Sequence, residues 1–309
     1  MSAPQFLRGN YADLFGSSAL PALEELFRSE LEMHPSQREA LFRIISTDRD
    51  IWQSSQLHDL GLFQAVPEGT DYSFDRQRQG ASKSLIPVKY GLGFSISEEA
   101  VEDGKFDFIA DGVRKLAKSA KESQEIAAMN IFNNGFSSET TADAVSVFNS
   151  AHTLPSGRTF RNILATDADL SQSSLEQMLI DFEQVFVGDT GIIYKMMPKV
   201  LLVNPALKRY GMELIGSDLK ADSADNNMNS MKQDGLRVVS SPHLTDSDAW
   251  FLLAAPQDTG LKVISRKGIE TKAGGSDVGF INDSILYKAR YREKIGVDHA
   301  YGIMGSDGV

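Results

Sequence analysis

The residue types that do chemistry are scattered in this chain. Its five histidines are His34, His58, His152, His243 and His299. No two of them stand at the i, i+4 spacing of a helical zinc site, so they read as structural. Asp218, Asp222, Asp225 and Asn227 crowd into DLKADSADNNMN. A calcium loop also needs a glycine at its sharp turn and a closing bidentate glutamate, and this stretch has neither, so it reads as a solvated loop. There is no cysteine, which removes disulfides, thiolate metal sites and a thiol nucleophile. Gly91-x-Gly93 and Gly274-Gly275 do not follow the strand–GxGxxG–helix order, and neither a Walker A nor a GxSxG motif occurs. No catalytic, cofactor-binding or metal-ligating residue is expected, and no enzyme.

Charge is more informative. The formal net charge is −11, so the chain as a whole lacks the basic footprint of a nucleic-acid reader. Against that background Arg76, Arg78, Lys83 and Lys89 form a local basic cluster. One reading is a solvated loop. The sharper one is a docking arm that meets acidic surface on another copy, around Glu98, Glu99, Glu102 and Asp103. Residues 1 to 17 read as an arm whose Phe6, Tyr11 and Phe15 need another surface. No apolar run reaches the length of a membrane span, and no basic n-region with an apolar h-region opens the chain.

The elements that must position these groups follow from periodicity. Residues 19 to 33 carry helical spacing and stop at His34-Pro35. Residues 60 to 97 read as two extended runs around a polar centre, a long β-hairpin with a tip too polar to be buried in its own subunit. Residues 105 to 134 predict one helix. Its thin stripe is Ile109, Val113, Leu116, Ala120, Ala127 and Ile131. About 30 residues give roughly 45 Å, a strut rather than a core helix. From 169 the pattern is α/β: the capped helix DLSQSSLEQMLIDFEQVF, the buried strand PKVLLVNP, and a helix at 206 to 217. The last segments are strands, with Tyr287, Ala289 and Tyr291 alternating with Lys288, Arg290 and Arg292.

AAMNIFNNGF at 127 to 136 and VFNSAHTLPSGRTFRNIL at 147 to 164 resemble the passage after the spine helix in major capsid proteins of tailed bacteriophages, specifically the Mu-like major head subunits. DLSQSSLEQML, MPKVLLVNPALKRYGMELIGS and LRVVSSPHLTDSDAWFLLAAP resemble the segments that follow. The resemblance covers most of 50 to 309. It implies an α+β tailed-phage capsid fold. Residues 1–50 are then an N-terminal arm and short helix, 51–97 an extended loop, 98–165 a peripheral domain with spine helix 105–134, 166–255 an α/β axial domain, and 256–309 strands returning to the peripheral domain. It also implies partners. These are other copies in hexamers and pentamers, a separate scaffolding protein, a portal, a decoration protein, and double-stranded DNA enclosed without sequence-specific binding. The place would be the virion, after assembly in the host cytoplasm. Some relatives cross-link a loop lysine to a neighbour's asparagine, and nothing aligns Lys83 or Lys89 with that role. An encapsulin-like nanocompartment and an α/β enzyme with a site in the 169 to 255 lobe are the alternatives.

Overall fold

The computed structural model describes residues 20–57, 59–75, 79–97, 99–100, 103, 106–217, 231–232, 235–273 and 284–308. Phe6, Tyr11, Phe15, Arg76, Arg78, Glu98 and Glu102, and most of the 218 to 235 loop, lie outside them.

Two four-stranded sheets organise the chain. The first has the order β1 (Arg43–Ser46), β10 (Leu261–Ala273), β11 (Ser284–Val297), β4 (Val88–Ser97). Its two long strands pair antiparallel, with β1 parallel to β10 at one edge and β4 antiparallel to β11 at the other. The second has the order β12 (Ile303–Ser306), β9 (Trp250–Leu253), β7 (Val200–Val203), β8 (Arg237–Ser240). Every residue of β7 and β9 is buried, because each face of this sheet meets a different core. Leu202, Phe251, Leu253 and Ile303 face one cluster; Leu201, Val203, Trp250, Leu252 and Met304 face the other.

Helix α1 (Leu20–Met33) and the short α2 (Arg38–Leu41) precede β1. The expected strut is α3, Phe106–Asn133, 28 residues or about 42 Å. Its buried face differs in detail from the expected stripe. Ile109, Val113, Leu116, Ala117, Gln124, Ala128, Met129, Ile131 and Phe132 are buried, while Ala120 and Ala127 are only half covered. The stripe is broader because the helix crosses two cores. Its first half packs with α1, Ile96, Tyr287 and Ala289; its second half packs on Phe42, Phe148 and Phe251. Gln124 sits at the crossing and donates to the buried Glu293 carboxylate at 3.1 Å.

Helix α4 (Gln172–Gln184) starts at the expected serines. Ser171 and Ser174 exchange side chain–backbone hydrogen bonds in a capping box. Leu175, Met178 and Phe182 seal its face against the second sheet. Helix α5 (Lys208–Gly216) closes the same lobe beside β8.

The hairpin is not where periodicity put it. Its arms are β2 (Trp52–Leu57) and β3 (Gln79–Leu85), paired antiparallel. Residues 60 to 67 join no ladder, and 88 to 97 are β4 of the long sheet. Pro87 explains the division. It has no N–H to donate, so the ladder of β3 ends before it and the chain crosses to the other sheet.

Candidate assembly surfaces

The extended loop is anchored at its base and bare at its tip. At the base, Ser54 Oγ donates to Asp298 Oδ2 at 2.8 Å, and Lys262 pairs with the same carboxylate beneath the Trp52 ring. Lys83 Nζ donates to Thr140 O at 2.9 Å and Thr140 Oγ1 at 3.0 Å. At the start of the tip, Asp59 accepts hydrogen bonds from Tyr194 Oη and from the Asp189 N–H. Burial, with Asp59 adding to it, pushes the Tyr194 hydroxyl well above the usual tyrosine range. Tyr194 therefore stays a donor and holds the loop to the 186–194 turn. Gly61 N donates to Asp75 Oδ2 at 2.9 Å, closing the tip across 14 residues.

Every residue from Leu60 to Asp75 is exposed. Leu62, Phe63, Tyr72 and Phe74 are among them, Phe63 completely and Phe74 to 91%. An apolar group of this size on one loop marks a contact surface. Sequence reasoning took this tip as polar and missed these side chains. The signals were LGLF and YSF, which alternation reads as strand residues with a buried side.

A second surface is concave. Between α3 and β4 lies an apolar groove of about 240 Å³, lined by Tyr90, Leu92, Leu116, Ala120 and Tyr291 among others. Burial pushes the Tyr291 hydroxyl up to about 12, so this wall is uncharged at neutral pH. In the other lobe, Ile180 and Met197 are exposed beside a groove of about 200 Å³.

The remaining expected contact residues are dispersed. Lys83 is bound within its own subunit, as above. Lys89 is exposed on β4, and Glu99 and Asp103 stand at a turn before α3. The structure does not bring the two lysines together with these two acids within one subunit.

The passage around His152 is a packing device. Phe132, Phe136, Phe148 and Phe251 pack ring on ring, with Phe148 5.0 Å from Phe251 and 4.9 Å from Phe136 between centroids. Beside them the buried His152 has Nδ1 2.8 Å from Asp143 Oδ2 and Nε2 3.1 Å from Asn162 Oδ1. Asn162 is fixed in that sense, because its Nδ2 donates to Val147 O at 2.7 Å and its Oδ1 accepts the Asn149 N–H at 2.8 Å. Both ring nitrogens thus lie within hydrogen-bond distance of side-chain oxygens. Among the described residues no group of three or more His, Asp or Glu is placed to hold a metal ion. No described helix is long and apolar enough to cross a membrane.

Comparisons with known proteins agree on the architecture. The fold is similar to that of a virus-like particle from Pyrococcus furiosus, with TM-score 0.56 and 12% identity over 94% of this chain and 100% of that one. It is also similar to a structure of Microbacterium phage Oxtober96, with TM-score 0.54 and 14% identity over 88% and 91%. The capsid of cyanophage P-SCSP1u gives TM-score 0.57 and 9% identity over 89% and 88%. No curated protein matches the chain. The sequence profile of the phage capsid protein family matches residues 81–304, from the last strand of the hairpin to β12, and the chain belongs to that family.

Proposed function

We propose that this capsid subunit assembles through hexamers and pentamers into an icosahedral shell around phage DNA, with no catalysis of its own. The observation that carries the reading is the loop tip. A subunit of this family holds Phe63 and Phe74 in open solvent on a loop whose base is firmly tied down. Such a loop is built to complete another subunit. Its apolar side chains match in character the apolar groove between α3 and β4 of a neighbouring copy. Each contact is small. Repetition by symmetry makes the closed particle stable. A separate scaffolding protein, a portal and a decoration protein belong to the same reading.

A second reading keeps the shell and changes the content. The Pyrococcus furiosus virus-like particle shares the fold over its whole length, and a shell of this kind can enclose proteins. Electron microscopy and sedimentation of the expressed protein, with and without its neighbouring genes, test the assembly. Closed polyhedral particles or capsomer rings support it, and a monodisperse monomer or dimer in both conditions overturns it. Nucleic acid or protein recovered from purified particles separates the two contents.

A further inference from the structure

The long sheet has one face under the helices and one face away from them. Tyr287, Ala289, Tyr291 and Glu293 of β11 point to the helix side, where they are buried. The alternate residues share the other side, and so do their direct partners on neighbouring strands. Lys288 is opposite Lys272, and Arg292 stands between Lys267 and Lys89. Arg290 is opposite Glu270. Six cations thus gather on one sheet face, with Glu270 among them.

Like charges directly opposite on paired strands oppose folding. Among the described residues Glu270 is the carboxylate paired with them. It binds Arg290 Nη2 at 3.2 Å and Lys267 Nζ at 3.6 Å, and the Arg290 hydrogen bond holds its carboxyl below the usual range. Among the described residues Lys89, Lys272 and Lys288 have no ion-pair partner. The β4 side of this face is bare backbone at Gly91 and Gly93. A Cβ at Gly93 would sit 2.9 Å from Lys288 Cβ, so the track beside the cations is shallow. The inner end of the face is capped by the hairpin base, where Leu85 covers Gly296. The rest is open.

Resting on the capsid reading, we propose that this basic strip is the surface turned towards packaged duplex DNA, where it contacts phosphates without reading bases. Counter-charge is what the strip lacks, and a polyphosphate supplies it. The extended loop of another copy also carries acids, Glu68, Asp71 and Asp75. Its exposed Leu62, Phe63 and Phe74, however, need an apolar receptor. Leu286 is the large apolar side chain exposed on this face, and the buried Ile264, opposite Lys294, lies at its capped inner end.

The test compares binding of a short random-sequence duplex to full-length subunits before assembly, to closed empty shells, and to Lys89→Gln/Lys272→Gln/Lys288→Gln subunits. Wild-type subunits should bind at low salt, and closed shells should not, because the strip is inside. The log–log salt slope of the triple variant should be smaller by about 3, one per lost phosphate contact. Lys288→Gln alone should lower it by about 1, which keeps the test decisive if the triple variant folds poorly. An unchanged slope, no binding by wild-type subunits, or equal binding by closed shells overturns the proposal. So does a folded triple variant that binds duplex normally but no longer closes shells, since a second copy's acidic loop then occupies the strip. If the wild-type protein forms no shell under any condition, it is the capsid reading itself that fails.

Discussion

Arg38 Nη1 lies 3.1 and 3.0 Å from the two carboxylate oxygens of Glu293, with both side chains nearly buried. The contact ties the segment after α1 to the last long strand, 255 residues away. Gln124 of α3 donates to the same carboxylate, so three remote parts of the chain meet at one charge. Arg38→Met leaves that charge buried and short of its counter-ion. It should cost about 3–5 kcal/mol in urea denaturation of the soluble subunit. Arg38→Met/Glu293→Leu should recover most of the loss, because the desolvation of both ions is then gone. A single-variant loss under about 1 kcal/mol would show that the pair does not hold the fold together.

The His152–Asp143 pair sets an acid limit. Burial favours the neutral Asp143 carboxyl, but hydrogen bonds from His152 and Thr141 outweigh it and leave the group below its usual value of 3.8. A lowered carboxyl stabilises the fold fully above its unfolded pKa, and that stabilisation is lost as pH falls through the folded pKa. Asp143→Asn should therefore be less stable than wild type at pH 7, by about 1.5–3 kcal/mol for a lost charged hydrogen bond. The gap should close below about pH 4. Thermal melts across pH 2 to 7 measure it, roughly one pH unit apart. A gap that is constant with pH contradicts the assignment.

Phe63→Ser/Phe74→Ser isolates assembly from folding. Both rings face solvent in the subunit, so the variant's melting free energy should stay within about 0.5 kcal/mol of wild type. Shell yield by sedimentation and microscopy should fall sharply. Closed particles at normal yield would mean that these rings are not assembly contacts.

Gly135 is needed for space rather than for an unusual backbone angle. A Cβ there would lie 2.7 Å from the Phe148 ring and 2.9 Å from Ile131 O. Gly135→Ala should cost about 1–3 kcal/mol through overpacking. Gly135→Ala/Phe148→Leu should fare better than Gly135→Ala alone, because the ring that clashes is gone. Differential scanning calorimetry of the pair of variants gives the answer.

Periodicity and capping chemistry determined much of this protein. The strut helix, the Ser171 cap, the buried β7 and the alternation of Tyr287, Ala289 and Tyr291 were all legible, because each is a local pattern that one segment carries alone. The passage through Phe132, Phe148, His152 and Asn162 was legible as a family resemblance, and its physical basis is the aromatic cluster and the histidine network that it builds. The pairing of β2 with β3 was not legible, since only tertiary contact chooses which strand a polar run will join. Nor was the basic strip. Lys89, Lys272 and Lys288 are far apart in the sequence of an acidic chain, and sheet register alone aligns them. The exposed Phe63 and Phe74 were missed in a tip taken as polar, because a sequence shows that a side chain is apolar but not whether its own subunit has room to bury it.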